Sequence, residues 1–280
     1  MKKKILLTGA TGFVGRHVLS NLLNKKAEVR VLVRKNKEKY IKEHIKKIEL
    51  ITTEDLFQEN PHWLEQQCKD IDTIIHVAWY AEPKKYLYSM KNIDCLIGSL
   101  QFAKGAIKAG VRRFIGIGTC FEYDLNAGDL SVKTNLNPLT PYASAKTALY
   151  TSLLKFLPEH SIEFSWCRIF YLFGDGEDKR RLVPYLKNQL SNGLIAELNS
   201  GESIRDYLNV KDAARMIVDI ALGKTLGPIN ICSGVPITIK ELANKIADMY
   251  GRRDLLKFSS KSNNFKDPLR IVGVPNYNLE

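Results

Sequence analysis

"KILLTGATGFVG", residues 4–15, decides the fold of this chain. An apolar run ends in a glycine turn, and the turn opens directly into a helical pattern beginning near Val14. Strand, turn and helix in that order are the setting in which glycines at this spacing carry out a definite task. Gly9 permits the tight turn, Gly12 lets the backbone approach a pyrophosphate, and Gly15 lets helix and strand pack closely. Free N–H groups at the helix start then meet the phosphate charge. The basic start before the apolar run has the outline of a secretion signal. That run is only a few residues long and enters the glycine turn at once, so it reads as a first strand.

Working outward, "EVRVLVR", "IELITT", "DTIIHVA", "RRFIGIG" and "IEFSWCRIF" are further strand-sized apolar runs. Helical patterns separate them, around residues 14–25, 34–47, 86–108 and 142–157. Apolar strands alternating with helices predict an α/β fold: a Rossmann-type, doubly wound parallel sheet covered on both faces. After Phe173 the pattern changes to a polar, glycine-containing loop, "FGDGEDKRR", a helix near residues 183–191 and mixed short elements. Residues 1–173 are therefore expected to form an NAD(P)-binding domain. Residues 174–280 are expected to form mainly a small substrate lobe, with segments returning to the larger domain, among them a strand in "PINIC" and a helix in "IKELANKIADMYG".

With 280 residues, 45% of them hydrophobic and 26% charged, the chain can bury a full core. No apolar run has the length of a membrane span. The five cysteines are scattered, with no CxxC pair and no Cys/His cluster at metal-ligand spacing, which predicts reduced thiols, a cytoplasmic setting and no metal site. Much of the net charge of +12 lies in "RKNKEKYIKEHIKK", residues 34–47, where Tyr40, Ile41, Ile45 and Ile48 recur between lysines. That run reads as a solvated helix face rather than a nucleic-acid patch.

The end of the second strand discriminates between cofactors. An acid there binds both ribose hydroxyls of NAD. This chain has Val33 at that place, followed by Arg34 and Lys35. A guanidinium pairs with a 2′-phosphate that an acid would repel, so NADP(H) is favoured over NAD(H). Asp55, in "TEDL" after the third strand, is expected near the adenine amino group.

"TPYASAK", residues 140–146, predicts a helix with Thr140 as N-cap and Pro141 at its first position, which places Tyr142 and Lys146 on one face. In sequence order, TGxxGxxG, "DTIIHVA", "GIGTCFEY", YxxxK, "SIRDYLNVKDAAR" and "INICSG" together resemble the extended short-chain dehydrogenase/reductase family, particularly its nucleotide-sugar epimerases, dehydratases and reductases. The resemblance runs from Lys4 to about Tyr250. It implies that Tyr142 is the general acid/base, that Lys146 lowers the pKa of that tyrosine and holds the nicotinamide ribose, and that Thr119 hydrogen-bonds the reacting carbonyl oxygen. It also implies a cofactor site made of Gly9, Thr11, Gly12, Phe13, Val14, Gly15, Arg34, Asp55, Leu56, Ala78, Tyr142, Lys146 and Phe170. A homodimer through the two long helices is the family habit.

Departures from the family pattern narrow the reaction. The dehydratases carry Asp-Glu directly after the threonine, whereas this chain has Cys120 and Phe121; Glu122 comes one position late and is expected to point elsewhere. The epimerases carry an asparagine where "RIFYLFG" has Tyr171, and they retain their cofactor through the second-strand acid. The segment "FGDGEDKRRLVPYL", followed by "SGESIRDYLNVKD", resembles the reductases of 4-keto-6-deoxyhexoses, which implies a CDP-, dTDP- or GDP-linked substrate. Arg205 then matches the arginine on the substrate diphosphate, and Asp206 either orients Arg205 or forms a structural pair with it. Trp79 and Tyr171, with Thr119, are the remaining substrate candidates, although packing explains Trp79 equally well. The alternatives are a nucleotide-sugar 4-epimerase with tightly bound NAD and an NADP-sensing regulator on the same fold.

Overall fold

The computed structural model describes residues 3–259 and 268–277. Its central sheet comprises β1 (Lys4–Thr8), β2 (Glu28–Arg34), β3 (Glu49–Thr53), β4 (Thr73–His76) and β5 (Arg113–Thr119). Beyond a short β6 (Asp129–Leu130), β7 (Glu163–Ile169) and β11 (Gly227–Ile231) complete it. The spatial order is β3-β2-β1-β4-β5-β7-β11, every neighbouring pair parallel. The chain moves outward from β1 to β3 and then crosses to β4, so the order reverses beside β1. Ligands of open α/β sheets bind at such a switch point, outside the carboxyl ends of the strands.

Alternation within the strands explains the two helical layers. Ile5 and Leu7 of β1 face α1 (Phe13–Asn24) and α6 (Val210–Leu222), packing with Val18, Leu22, Ala214 and Ile217. Leu6 faces the opposite layer, where α2 (Pro61–Cys68), α3 (Lys91–Lys108) and α4 (Pro141–Glu159) supply Leu64, Phe102, Leu149 and Leu153. All of these side chains are buried, so strands apolar on both faces sit between two covers, as the doubly wound reading requires.

A second sheet has the order β12-β10-β14-β6, from β10 (Ile204–Asn209), β12 (Pro236–Thr238) and β14 (Arg270–Gly273), with β8 (Tyr171–Phe173) also paired to β10. Beside it, α5 (Leu182–Ser191) and α7 (Ile239–Asp248) pack through Leu186, Leu190, Ala243 and Ala247, next to the β9 (Ala196–Leu198) and β13 (Leu256–Phe258) pair. From beyond residue 173, α6 and β11 return to the central sheet.

Two local expectations change. The lysine-rich run forms tight 3-10 turns over Glu38–Lys47, broken by non-helical backbone at Ile41, which is also its one buried residue. Lysines crowd these turns, and little apolar contact opposes the repulsion between them. The long helix begins at Lys91 rather than Tyr86, because Ser89 is extended and Asn92 Nδ2 donates to the carbonyls of Tyr86 and Ser89. Residues Tyr86–Tyr88 form a separate short turn.

Candidate active site

A cavity of about 900 Å³ opens at the carboxyl ends of β1, β4 and β5. Its floor is the glycine turn. Gly9 has φ +74°, and a Cβ there would lie 2.6 Å from the Ala78 backbone nitrogen. A Cβ on Gly15 would lie 2.1 Å from the Gly9 carbonyl oxygen, so helix and strand meet at a distance that only glycine allows. Gly12 is the N-cap of α1 and offers no side chain to the first-turn N–H groups, which are left for an anion. Arg16 braces the turn, its Nε donating to the Gly12 carbonyl at 3.2 Å. Thr11, Phe13, Val14 and Ala78 also line this end of the cavity. Thr8 and His76 lie behind it. The Thr8 hydroxyl is 2.9 Å from His76 Nδ1 and accepts the Ala78 N–H at 3.2 Å. Burial, reinforced by the nearby Lys146 charge, pushes the His76 imidazole down to about 3, so it is a neutral core histidine.

At the far end Val33, Arg34, Asp55 and Leu56 line the wall. Arg34 is exposed, whereas the neighbouring Lys35 is held by Glu54 at 2.5 Å. Asp55 caps the following turn by accepting the Phe57 N–H at 3.1 Å, and its side chain still borders the cavity.

At the opposite end Thr119, Tyr142, Lys146, Trp79, Phe170 and Tyr171 come together. The α4 start follows the sequence: Thr140 accepts the Ala143 N–H at 3.2 Å, and Pro141 occupies the first position. Lys146 is 3% exposed, and its ammonium donates to the Ile117 carbonyl at 2.7 Å and lies 3.8 Å from the Trp79 ring centroid. Burial lowers its pKa to about 7, against the supporting charge of Glu122. Trp79 is held in turn by its indole N–H, which donates to Asn92 Oδ1 at 2.9 Å. Tyr142 packs edge-on against Tyr86, with centroids 4.8 Å apart, and against Trp79 at 6.5 Å. Its pKa is raised, first by burial and then by Tyr86 and Glu122, while hydrogen bonding to Thr119 works the other way. The expectation that Lys146 lowers the Tyr142 pKa is therefore corrected for this state. The ammonium is engaged with Ile117 and Trp79, and Tyr142 is a neutral phenol.

Arg205 does not line the cavity. It is buried beside it, Nη1 donating to the carbonyls of Ile204 and Leu269, with the guanidinium carbon 5.6 Å from the Tyr171 centroid. Asp206 is fully buried and accepts from Ser233 N and Oγ and from the N–H groups of Gly234 and Gly273, so it ties the loops after β11 and β14 to β10. Two arginines of the loop after β8 do reach the wall. Arg180 forks onto Asp178 through two 2.8 Å hydrogen bonds, and the Arg181 guanidinium lies 6.0 Å from the Tyr86 centroid. Glu177 of the same loop is pushed up to about 7 by burial. Sequence reasoning saw this segment as a polar loop resembling that of the 4-keto-6-deoxyhexose reductases, and assigned its arginines no role. Its paired arginines were the available signal, but a charge run says nothing about which way it faces.

A phosphate-ready glycine turn facing a Thr–Tyr–Lys cluster across one cavity defines a nicotinamide-dependent enzyme of the extended short-chain dehydrogenase/reductase type. The NAD dependent epimerase/dehydratase family matches residues 5–232, and the chain belongs to it. It is similar to the dTDP-6-deoxy-L-talose 4-dehydrogenase (NAD(+)) of Aggregatibacter actinomycetemcomitans, with 26% identity over 93% of this chain and 94% of that one. It is also similar to UDP-glucuronic acid decarboxylase 6 of Arabidopsis thaliana, with 28% identity over 88% of this chain and 74% of that one. Among solved structures, UDP-N-acetylglucosamine 4-epimerase from Methanobrevibacter ruminantium M1, in complex with UDP-N-acetylmuramic acid, superposes with a TM-score of 0.85 at 23% identity. That match covers 99% of this chain and 91% of the epimerase.

Proposed function

We propose that this protein reduces, or in reverse oxidises, C4 of a nucleotide-linked 4-keto-6-deoxy sugar, using NADP(H). The observation that carries the reading is the catalytic end of the cavity. Thr119, Tyr142 and Lys146 converge there, while Cys120 and Phe121 occupy the two positions where the dehydratases hold their acids. Similarity to a 4-dehydrogenase over nearly the whole of both chains supports the same chemistry.

The glycine turn suits a dinucleotide, because any Cβ at Gly9 or Gly15 would fill the space it keeps open. When bound, the cofactor supplies or accepts the hydride. The chain's own residues manage the proton and the oxygen. Tyr142, a phenol beside Thr119, gives its proton to the C4 oxygen, and Thr119 donates a second hydrogen bond that stabilises the developing charge. Lys146 would hold the nicotinamide ribose hydroxyls of the bound cofactor. Arg180 and Arg181 offer the fork geometry that a diphosphate requires. The preference for NADP(H) rests on Arg34 standing on the wall beyond Val33. The similar talose enzyme is named for NAD(+), so both cofactors belong in the test.

Met90, Ile93, Ile97 and Leu100 form an exposed apolar stripe at 3-4-3 spacing along α3 and the residue before it, and Phe156 is exposed on the adjoining α4. That spacing is the seam of a helix pair, and we assign it to a second copy of the chain. Five buried free thiols fit a reducing, cytoplasmic setting.

Purified protein mixed with NADPH or NADH and CDP-, dTDP- or GDP-linked 4-keto-6-deoxyglucose tests the reading directly. Stoichiometric loss of absorbance with one nucleotide supports it. No oxidation with any of them, together with release of NAD(H) from denatured protein, replaces it with an epimerase.

A further inference from the structure

The strand carrying Thr119 has glycine at Gly116 and Gly118, and the space beside both is taken by Trp166 of β7. A Cβ on Gly116 would lie 2.4 Å from Trp166 Cε3; one on Gly118 would lie 2.2 Å from Trp166 Nε1 and 2.4 Å from Glu122 Oε1. The glycines thus seat an indole and a carboxylate directly beneath the catalytic end of the cavity. Glu122 is fully buried. Its Oε1 accepts the Thr119 backbone N–H at 2.8 Å, Trp166 Nε1 donates to both oxygens at 3.1 and 3.0 Å, and Arg168 Nε donates to Oε2 at 2.7 Å. Arg168 is itself held between the rings of Tyr123 and Tyr150, with centroids 4.6 and 4.4 Å away. Tyr123 receives an Arg168 N–H at 3.0 Å and donates to Asn230 at 2.7 Å.

We infer that Glu122 is the positioning residue of this site: its carboxylate fixes Thr119 through the backbone N–H and places a negative charge beneath the Lys146 ammonium. This rests on the catalytic roles proposed above. Three donors anchor this buried carboxylate. The pair is oriented, with the carboxylate toward Thr119 and the guanidinium away among the tyrosines. Trp166 spans the gap, its Nε1 on Glu122 and its ring 5.9 Å from Lys146 Nζ. Glu122 is the largest charge supporting the ammonium. The other groups facing Lys146 are the Cys95 thiol of α3 and the neutral His76 of β4. Those facing Glu122 are Arg168, Tyr123, the Cys120 thiol and the Tyr142 phenol. A merely structural pair would hold β5 to β7 and leave the Lys146 proton unaffected.

The test titrates Lys146 in the cofactor-free protein by tryptophan fluorescence, since the ammonium lies on the Trp79 ring; Lys146→Met supplies the blank. Glu122→Gln should move the midpoint down by at least about one pH unit. Where that variant does not fold, Glu122→Met with Arg168→Met removes the charges as a pair, a replacement that buried ion pairs tolerate. A downward shift is expected there too, smaller because the Arg168 charge leaves as well, and an unmoved midpoint in either folded variant overturns the inference. The alkaline limb of the kcat/KM profile for 4-keto sugar reduction should shift with it. Failure of every sugar to react would refute the proposed reaction and leave the titration result standing.

Discussion

Replacing Lys146 by methionine should change how stability depends on pH, in a direction that follows from burial. In the unfolded chain this lysine keeps its proton to its ordinary value of 10.5, whereas in the folded protein it releases it at about 7. Between those values the unfolded chain binds one proton more, so stability climbs with pH across the window, by about 1.4 kcal/mol per unit well inside it. Below pH 7 both states are protonated, and the burial penalty stays at its full value. Lys146→Met has nothing to titrate at this position, and subtracting its curve cancels the buried cysteines and tyrosines that titrate in the same range. From pH 7 to pH 9 the wild type should therefore gain roughly 2 kcal/mol on the variant, allowing for half-protonation at the lower end. Urea unfolding of the cofactor-free proteins at pH 6, 7, 8 and 9, followed by circular dichroism, measures the difference. A difference curve flat from pH 6 to pH 9 would refute the reasoning, because it would mean that the folded lysine holds its proton as tightly as the unfolded one.

Tyr142→Phe removes the proton donor but keeps the ring packed on Tyr86 and Trp79, so turnover should fall by about 10² to 10⁴-fold with cofactor affinity spared. Near-normal turnover would remove Tyr142 from the mechanism. Gly15→Ala drives a methyl group into the Gly9 carbonyl, and backbone on both sides leaves little room to yield. Cofactor binding should be lost and stability lowered by about 1–3 kcal/mol, read by calorimetry and thermal melting. Arg34→Glu should weaken NADPH binding by about tenfold or more while leaving NADH binding nearly unchanged, because only the 2′-phosphate meets that side chain. Equal losses for both cofactors would place Arg34 elsewhere in the site.

Local chemistry made much of this protein legible. Gly9 is dictated by its φ of +74°, and Gly12 and Gly15 by the Gly9 carbonyl, all within one turn. Thr140 and Pro141 announce the start of α4, and the strand runs differ from the helices in period. These features depend on neighbours a few residues away, so composition and spacing reveal them. They were enough to define the doubly wound sheet, and the family resemblance singled out Thr119, Tyr142 and Lys146, which meet at one cavity end. The 3-10 turns over Glu38–Lys47 show the limit: apolar spacing outlined a helix there, but only Ile41 found a core to enter.

What only the tertiary structure decided depends on burial and on partners distant in the chain. Lys146 bonds a carbonyl 29 positions away, and Glu122 meets Arg168 across 46 positions. Neither spacing has a local signature. Arg205 fits the motif yet lies behind Tyr171, whereas Arg180 and Arg181, whose direction the sequence does not give, stand on the cavity wall. Protonation is further still from the sequence. A lysine moves from 10.5 to about 7 because folding strips its water, more than the carboxylate set nearby can offset, and both changes exist only once the chain has closed around it.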